Sequence, residues 1–270
     1  MSAVVRLAER LALGFNQLPL WRGECAVWDL RFAASTFERW LYLRLHRLGR
    51  MGRDEAATLR RIIRPGMTVL DVGGNLGLYT LLLARLAGPA GRVVTFEPDP
   101  ELFALLRRNC ELNGCGNVEA HNLALGRRDD RLVLRKMILN SGDNTLGAGG
   151  SRLFRREVGI DVVALDEFLP TLRPDLVKID VQGWELEVLL GMERILAACP
   201  SAVLYLEYWP EGFRRAGYAA DDLIRFLRER GYRFQLAETG AVLDEGALAA
   251  LTARLTGLKH ADLLATRETG

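Results

Sequence analysis

The stretch Thr68-Val69-Leu70-Asp71-Val72-Gly73-Gly74-Asn75-Leu76-Gly77 decides the fold of this chain. An apolar run of strand character enters a glycine-rich turn, and a helical pattern follows. The next apolar run, residues 92–96, ends at an acid, Glu97. Glycines allow a backbone to approach a ligand closely, and a carboxylate after the second strand can accept hydrogen bonds from both ribose hydroxyls. The pattern therefore predicts a parallel sheet that binds a nucleoside cofactor.

The spacing of this turn indicates which cofactor it takes. A dinucleotide site usually reads G-x-G-x-x-G, with a helix N-terminus facing a pyrophosphate. Here the pattern is D-x-G-x-x-x-G, and no basic residue lies between Asp71 and Thr80. An acidic turn of this kind suits a cationic ligand that carries an amino acid, and S-adenosylmethionine fits that description. The predicted cofactor-binding residues are Asp71, Gly73, Gly74, Asn75, Gly77, Glu97 and Asn122, which ends the third strand near the expected adenine position.

From residue 54 onward, strand patterns alternate with longer helical patterns, which predicts a mostly parallel α/β sheet with helices on both faces. The main strands are predicted at residues 68–72, 92–96, 118–123, 176–180, 202–207, 232–237 and 261–266. Residues 126–166 interrupt this rhythm as an insertion. It contains strand patterns at 131–135 and 159–165 and a polar, glycine-rich loop at 140–150.

Charge is distributed unevenly along the chain. The 270 residues have a formal net charge of +2, but residues 1–66 hold twelve arginines, no lysine and six acids, which gives +6 and leaves −4 for the remainder. We therefore divide the chain into a basic, helical or irregular N-terminal extension, residues 1–53, and a domain, residues 54–270. The extension could cover the site, meet an anionic substrate or a membrane surface, or simply present a solvated face.

Composition and cysteine spacing bound the class of protein. Charged residues make up 26% and hydrophobic residues 49%, which is ordinary for a globular domain. The four cysteines form no CxxC pair and no Cys/His ligand spacing, so we expect reduced thiols and no zinc site. No apolar run has the length of a signal peptide or a membrane span, so we expect a cytoplasmic location. The three histidines, His46, His121 and His260, are predicted to be structural.

The fourth strand carries two charged residues, Lys178 and Asp180, where a central parallel strand should be apolar. They are two residues apart, so both side chains point to the same face of the sheet. Burying either charge is costly unless it is paired, which predicts an ion pair near the carboxyl edge. Asp180 is the predicted catalytic residue nearest the acceptor, and Lys178 becomes a candidate base if its pKa is lowered. A purely structural Lys–Asp pair is the alternative.

The fifth strand ends at a further acid, Glu207, which should lie across the cleft from Asp180. Two carboxylates at one edge could share a proton or bind a divalent cation such as Mg²⁺, although no metal site is predicted. Three residues are predicted to contact the substrate: Asn144 in the polar loop, and Trp184 and Trp209, each just past a strand end. The two tryptophans could equally pack beneath loops.

Three motifs in this order resemble the FkbM family of S-adenosylmethionine-dependent methyltransferases. They are DVGGNLG from Asp71, FEPDP from Phe96 and KIDVQGWE from Lys178, and the resemblance covers roughly residues 55–210. It implies a Rossmann-like class I methyltransferase fold, with a seven-stranded, mostly parallel sheet and an antiparallel last strand. Members of the family generally methylate hydroxyl oxygens on natural products, sugars or glycolipids.

The resemblance also implies roles for individual residues. Asp71, Gly73, Asn75 and Gly77 would line the methionine half of the cofactor, Glu97 would hold its ribose, and Lys178 and Asp180 would border the reaction centre. Three positions depart from the family pattern. Gln182 stands where glutamate is usual, Trp184 where alanine is usual, and Gly74 replaces alanine, which we expect to be a mild change.

The hypothesis is O-methylation of a small-molecule, carbohydrate or lipid-linked acceptor. The alternative from another class is a non-catalytic nucleoside-binding or scaffold protein with the same sheet, to which the glutamine at position 182 lends weight. A nucleic-acid methyltransferase would need a basic groove with stacking aromatics. The basic residues here cluster before the domain, so no nucleic-acid partner is expected.

Overall fold

The computed structural model describes residues 24–33, 53–137 and 155–267. The first of these ranges is a β-hairpin of β1 (Glu24–Val27) and β2 (Leu30–Ala33). The next elements are, in order, α1 (Arg53–Ile62), β3 (Thr68–Val72), α2 (Leu78–Ala87), β4 (Arg92–Phe96), α3 (Pro100–Leu112) and β5 (Val118–His121). The inserted region contributes β6 (Ala124–Leu125), β7 (Asp130–Met137) and β8 (Arg155–Val163).

The second half of the chain completes the sheet. Its elements are, in order, α4 (Leu165–Phe168), β9 (Leu176–Ile179), α5 (Glu185–Leu190), α6 (Glu193–Ala198), β10 (Val203–Tyr208), α7 (Pro210–Ala216), α8 (Ala220–Glu229), β11 (Tyr232–Leu236), β12 (Val242–Leu243), α9 (Glu245–Arg254) and β13 (Ala261–Arg267). No helix in these described ranges is long and apolar enough to cross a membrane.

The main sheet has the strand order β12-β11-β13-β10-β9-β3-β4-β5. Strands β5, β4, β3, β9 and β10 are parallel neighbours, and β13 runs antiparallel between β10 and β11. The α/β fold and the antiparallel last strand predicted from the sequence are therefore confirmed. The sheet has eight strands rather than seven, because β12 pairs with β11 over two residues, too few to give a periodic pattern.

The strand order reverses between β3 and β9, and this reversal positions the site. From β3 the chain moves outward through β4 and β5, and it later returns to β9 on the other side of β3. Open α/β sheets bind their ligands in the crevice outside the carboxyl ends of the strands at such a point. The crevice here lies between the turn after β3 and the loop after β9.

Two apolar cores cover the two faces of the sheet. Phe96, Ile179 and Tyr208 belong to the core on one face, whereas Val93 and Leu176 belong to the core on the other. Residues that alternate along one strand thus enter opposite cores, as the two-residue period of a strand requires. Burial on both faces explains why the central strands are apolar runs rather than alternating ones.

The described part of the N-terminal region forms a hairpin that packs on α3, where helical or irregular structure was expected. Asn113, which follows α3, accepts from the Arg31 amide at 2.8 Å and donates to the Arg31 carbonyl at 2.6 Å. Asn109 accepts from the Ala33 amide at 2.8 Å. Phe32 is fully buried in the same core as α2 and α3.

Several helix and strand boundaries differ from the predicted ones. Residues 185–198 form two helices, α5 and α6, rather than one continuous helix, and Gly191 between them packs on the Gly126 backbone. A Cβ at Gly191 would lie 1.9 Å from the Gly126 carbonyl oxygen. In the insertion, β7 and β8 extend further than the predicted strands, and β8 pairs with both β6 and β7.

Candidate functional site

The turn after β3 is attached to both neighbouring strands. The amides of Gly73 and Gly74 donate to the carbonyl oxygen of Phe96, at 2.9 and 3.0 Å. Gly73 has a φ of +89°, and a Cβ there would lie 2.1 Å from the carbonyl oxygen of Asp180. Glycine is therefore required at position 73 by its φ and by the closeness of the loop after β9. Gly77, with a φ of +96°, precedes the first residue of α2.

Gly74 faces the protein interior rather than the crevice. A Cβ at this position would lie 2.4 Å from Thr95 Oγ1 and 2.6 Å from Leu106 Cδ1. An alanine at this position would therefore require the ends of the Thr95 and Leu106 side chains to shift. Thr95 and Leu106 occupy the space that a methyl group would need.

Asp71 supports the turn from below and does not face the crevice. Its side chain is completely buried, Oδ2 accepts from the Thr80 hydroxyl at 2.6 Å, and Oδ1 has no hydrogen-bond donor among the described residues. The Lys178 ammonium lies 3.8 Å from that second oxygen. Burial raises the pKa of Asp71, although Lys178 and Thr80 oppose that shift. Asp71 therefore supports the turn and faces Lys178. Its buried position does not provide a direct contact with a cofactor.

Glu97 lies at the predicted place, directly after β4, with both oxygens bonded to backbone. Oε2 accepts from the Asn75 amide at 2.8 Å, and Oε1 accepts from the Asp99 amide at 2.8 Å. Each carboxylate oxygen has a second lone pair, so two further donors can bind. The Asn122 amide donates to the carbonyls of Glu97 and Pro98, at 2.8 and 3.0 Å, and so braces this turn.

Burial raises the pKa of Glu97 to about 8, although the amides of Asp99 and Asn75 oppose that shift. The folded-state pKa lies above the ordinary value, so the stabilising contribution is present below about pH 4.5 and is lost as pH rises through about 8. In wild type, Glu97 should lower the free energy of unfolding by on the order of 4 kcal/mol as pH rises across this range. We expect this decrease to be absent in Glu97→Gln. Urea unfolding of both proteins from about pH 4.5 to about pH 9 measures it, and parallel pH profiles would contradict the assignment.

Lys178 is the centre of a buried polar row beneath the crevice. Its ammonium lies 3.4 Å from Asp180 Oδ2, 3.8 Å from Asp71 Oδ1 and 4.8 Å from the centre of the Tyr79 ring. Burial disfavours the charged form, but the carboxylates of Asp180, Asp71 and Asp262 outweigh it and raise the pKa of Lys178. The condition for Lys178 to act as a base, a lowered pKa, is therefore not met. Its place in the structure is that of a fixed positive charge.

Asp180 and Glu207 are brought together by one side chain, Gln182. The Gln182 amide nitrogen donates to Asp180 Oδ1 at 3.1 Å and to Glu207 Oε2 at 2.9 Å. Gln182 has a φ of +57° and Gly183 a φ of +99°, so the loop after β9 contains two successive left-handed residues. Non-glycine residues seldom adopt this conformation, and they do so mostly where the surroundings fix them.

The two carboxylates differ in their access to the crevice. The Asp180 side chain is 35% exposed, whereas that of Glu207 is 7% exposed. Burial and the neighbouring acids Asp180, Glu185 and Asp262 raise the pKa of Glu207 well above its ordinary range. Glu207 therefore holds a proton more readily than a free glutamate, and Asp180 is the more accessible carboxylate of the two.

With this geometry established, comparison with known proteins identifies the family. Residues 71–234 match the family described as "Methyltransferase FkbM domain", which is more than half of the chain. The chain belongs to the FkbM methyltransferase family. The resemblance of the three motifs is thus confirmed, and the observed sheet has the Rossmann-like architecture that this membership implies.

Curated relatives of this FkbM chain match over parts of their length. "Methyltransferase 1" of Beauveria bassiana is 35% identical over 145 aligned residues, and the match covers 46% of this chain and 58% of that protein. "Methyltransferase sdnD" of Sordaria araneosa is 28% identical over 177 aligned residues, and the match covers 54% of this chain and 68% of that protein. "Hexuronic acid methyltransferase AglP" of Haloferax volcanii is 28% identical over 160 residues, 59% of this chain and 60% of that protein.

Glu185, the last residue of the third FkbM motif, was given no role from the sequence. It is fully buried, and its Oε1 accepts from the amides of Val181 and Gly183, at 3.1 and 3.2 Å. Burial raises the pKa of Glu185 to about 7 against these hydrogen bonds. The residue therefore holds the backbone of the loop that carries Gln182.

Three further polar residues near the site were also missed. Tyr205, the register partner of Lys178 on β10, donates to Asp262 Oδ2 at 2.8 Å. Asp262 lies opposite Glu207 in the antiparallel pair of β10 and β13, and burial raises its pKa to about 6. His260, predicted to be structural, has its Nδ1 3.7 Å from Glu207 Oε1. The signal in the sequence for these residues is that polar side chains, Tyr205 and Glu207 on β10 and Asp262 on β13, interrupt apolar strands.

The three predicted substrate residues have different outcomes. Trp209 is 3% exposed, and its indole nitrogen donates to the Gly257 carbonyl at 2.7 Å, so it packs beneath a loop and does not form an acceptor wall. Trp184 is partly buried and precedes α5, and its indole nitrogen has no hydrogen-bond acceptor in the part of the chain that the structure describes. Asn144 lies outside the described residues.

A divalent metal does not fit the residues around Asp180. Within the described ranges, no group of three or more His, Cys, Asp or Glu side chains could hold a metal ion. The donor between Asp180 and Glu207 is the Gln182 amide nitrogen, which is not a ligand for Mg²⁺. The two carboxylates are instead joined through hydrogen bonds from the Gln182 amide nitrogen.

Proposed function

We propose that this chain transfers a methyl group from S-adenosylmethionine to a hydroxyl oxygen of a carbohydrate, a glycolipid or another natural product. The observation that carries the proposal is the Asp180–Gln182–Glu207 bridge at the reversal of strand order. It lies directly against the glycine turn, since Gly73 packs on the Asp180 carbonyl. A cofactor turn and a proton-accepting group are thus adjacent, which an alkylation of oxygen requires.

The polar groups around the crevice fit S-adenosylmethionine. Glu97 and Asp180 offer carboxylate oxygens, and the turn between residues 71 and 80 has no basic side chain that would favour a pyrophosphate. Glu97 would bind the two ribose hydroxyls, and the turn with Asp180 would face the cationic amino-acid end. When bound, the cofactor supplies a methyl group that is already activated by its sulfonium.

The residues of the chain then have to align the acceptor and remove its proton. The acceptor oxygen would receive the methyl group as its bond to sulfur breaks, and the cofactor would leave as S-adenosylhomocysteine. We assign Asp180 to take the hydroxyl proton, because it is the accessible carboxylate. Gln182 orients Asp180, and Lys178 fixes it from below. Glu207 accepts the second hydrogen bond of the Gln182 amide and so helps to hold Gln182 in place.

The acceptor class rests on two observations. Trp184 follows Asp180 by four residues in the chain and is partly exposed, so it would offer an apolar surface of the kind on which sugar rings and natural-product scaffolds stack. One relative named above is a hexuronic acid methyltransferase, which supports a carbohydrate as the acceptor here. Lipid-linked carbohydrates belong to the same class, because they present the same sugar hydroxyl groups.

Calorimetry with S-adenosylmethionine and S-adenosylhomocysteine tests the cofactor assignment, and we expect both ligands to bind. A methylation screen over hydroxylated sugars, glycolipids and natural-product scaffolds, read by mass spectrometry for a gain of one methyl group, tests the reaction. Absence of binding by both ligands would reject the proposal. Binding without methylation of any member of such a screen would instead favour the non-catalytic nucleoside-binding protein.

A further inference from the structure

The insertion is connected to the cofactor side of the crevice by a largely buried lysine. Lys136, near the end of β7, has its ammonium 2.7 Å from Asp99 Oδ2 and 2.5 Å from Glu101 Oε2. The Lys136 side chain is 12% exposed and that of Asp99 is 0% exposed. Removing one partner of a buried ion pair strongly destabilises the fold, because the other charge stays buried without its partner.

Asp99 links this ion pair to Glu97. Its own amide donates to Glu97 Oε1 at 2.8 Å, and its carboxylate accepts from the Glu101 amide at 3.0 Å as the N-cap of α3. Asp99 therefore caps α3, binds Lys136 of the insertion and donates a hydrogen bond to Glu97, the residue predicted to bind the ribose. A displacement of Asp99 moves the donor on which one Glu97 oxygen depends.

We propose that Lys136 is a positioning residue for cofactor binding, through which the insertion sets the geometry and charge of Glu97. The inference rests on the proposed function, since it takes S-adenosylmethionine as the ligand whose ribose Glu97 binds. Lys136 does not touch the ribose in this arrangement. It acts by holding Asp99 and by neutralising its charge.

The charge of Asp99 matters because Glu97 must be ionised to accept from two hydroxyls. After burial, the acids Asp99 and Asp71 are the neighbours that raise the pKa of Glu97. Asp71 is faced by Lys178, and Asp99 is faced by Lys136 together with the acid Glu101. Without the Lys136 charge, Asp99 would oppose ionisation of Glu97 more strongly, and the cofactor would bind well only at higher pH.

Calorimetry with S-adenosylhomocysteine on wild type, Lys136→Met and a matched control tests the proposal. Arg131→Met is the control, because it removes a charge from the same strand at an exposed pair with Asp161, 3.8 Å away. We expect Lys136→Met to weaken binding about 10-fold at about pH 7, as expected for loss of a charge-assisted contact, and Arg131→Met to bind like wild type. Circular dichroism checks that each variant is folded.

Asparagine at position 99 separates positioning from general loss of structure. An asparagine side chain keeps the cap of α3 but removes the buried charge, so Lys136→Met/Asp99→Asn should regain most of the lost affinity. The affinity of Lys136→Met alone should recover as pH rises, whereas a purely structural defect would not respond to pH. Equal binding by Lys136→Met and wild type, or no rescue by Asp99→Asn, would overturn the inference. Failure of wild type to bind would instead reject the proposed function.

Discussion

Replacing Asp180 by asparagine is expected to lower kcat by about 100-fold or more and to weaken the affinity for S-adenosylmethionine far less. Asparagine keeps the size of the side chain and the bond to Gln182, but it cannot take a proton from the acceptor. The loss should appear in turnover because proton removal belongs to the chemical step. Steady-state kinetics with a methylated acceptor and calorimetry with the cofactor measure the two quantities separately.

The matched control for this substitution is Asp161→Asn. Asp161 is an exposed aspartate in the insertion, paired with Arg131 on the facing strand, so the same change in charge is made far from the reaction centre. We expect it to have wild-type kinetics. An Asp180→Asn protein with unchanged turnover would remove Asp180 from the mechanism and leave Glu207 as the remaining carboxylate of the bridge.

Replacing Lys178 by methionine is expected to destabilise the fold by about 3–5 kcal/mol. Methionine fills much of the space, but Asp71 then stays completely buried without its facing cation. The raised pKa of Lys178 indicates that the charged form is favoured in the folded state despite its burial. The contribution of the charged Lys178 to stability is present below the ordinary lysine pKa, and it is lost as pH rises through the higher pKa of the folded state.

Urea unfolding of Lys178→Met, Asp71→Asn and the double variant measures this coupling. The asparagine introduced by Asp71→Asn would still accept from Thr80, so the double variant removes both charges and keeps the hydrogen bond. We expect it to regain more than half of the stability lost in Lys178→Met. A loss below about 1 kcal/mol in Lys178→Met would mean that the pair is not stabilising and behaves like an exposed ion pair.

Sequence patterns predicted the parts of the site that depend on local order along the chain. The turn from Asp71 to Gly77, Glu97 after β4 and Asp180 after β9 all lie at carboxyl ends of neighbouring parallel strands, as the alternation of strands and helices implied. Residues at these ends are identified by their place in the chain, and the sheet then brings them together. The charged pair at positions 178 and 180 was visible because it interrupts an apolar strand.

Other features depend on contacts between distant segments, so local patterns could not reveal them. The break between α5 and α6 comes from Gly191 meeting Gly126, and the burial of Trp209 comes with its bond to the Gly257 carbonyl. The bond between Tyr205 and Asp262 joins strands separated along the chain by three helices and two further strands. The sequence left the direction of the Lys178 pKa shift open, because two of the three acids that raise it, Asp71 and Asp262, come from other strands.

The close packing of Gly73 on Asp180 has a consequence for how cofactor affinity arises. The turn is bonded to Phe96 on one side and lies against the loop after β9 on the other, so its shape is set by the fold itself. The entropic cost of ordering these residues is therefore met during folding, and ligand association does not bear it. Variants that loosen either attachment would transfer that cost to binding, and a weak cofactor affinity could then arise without the loss of any direct contact.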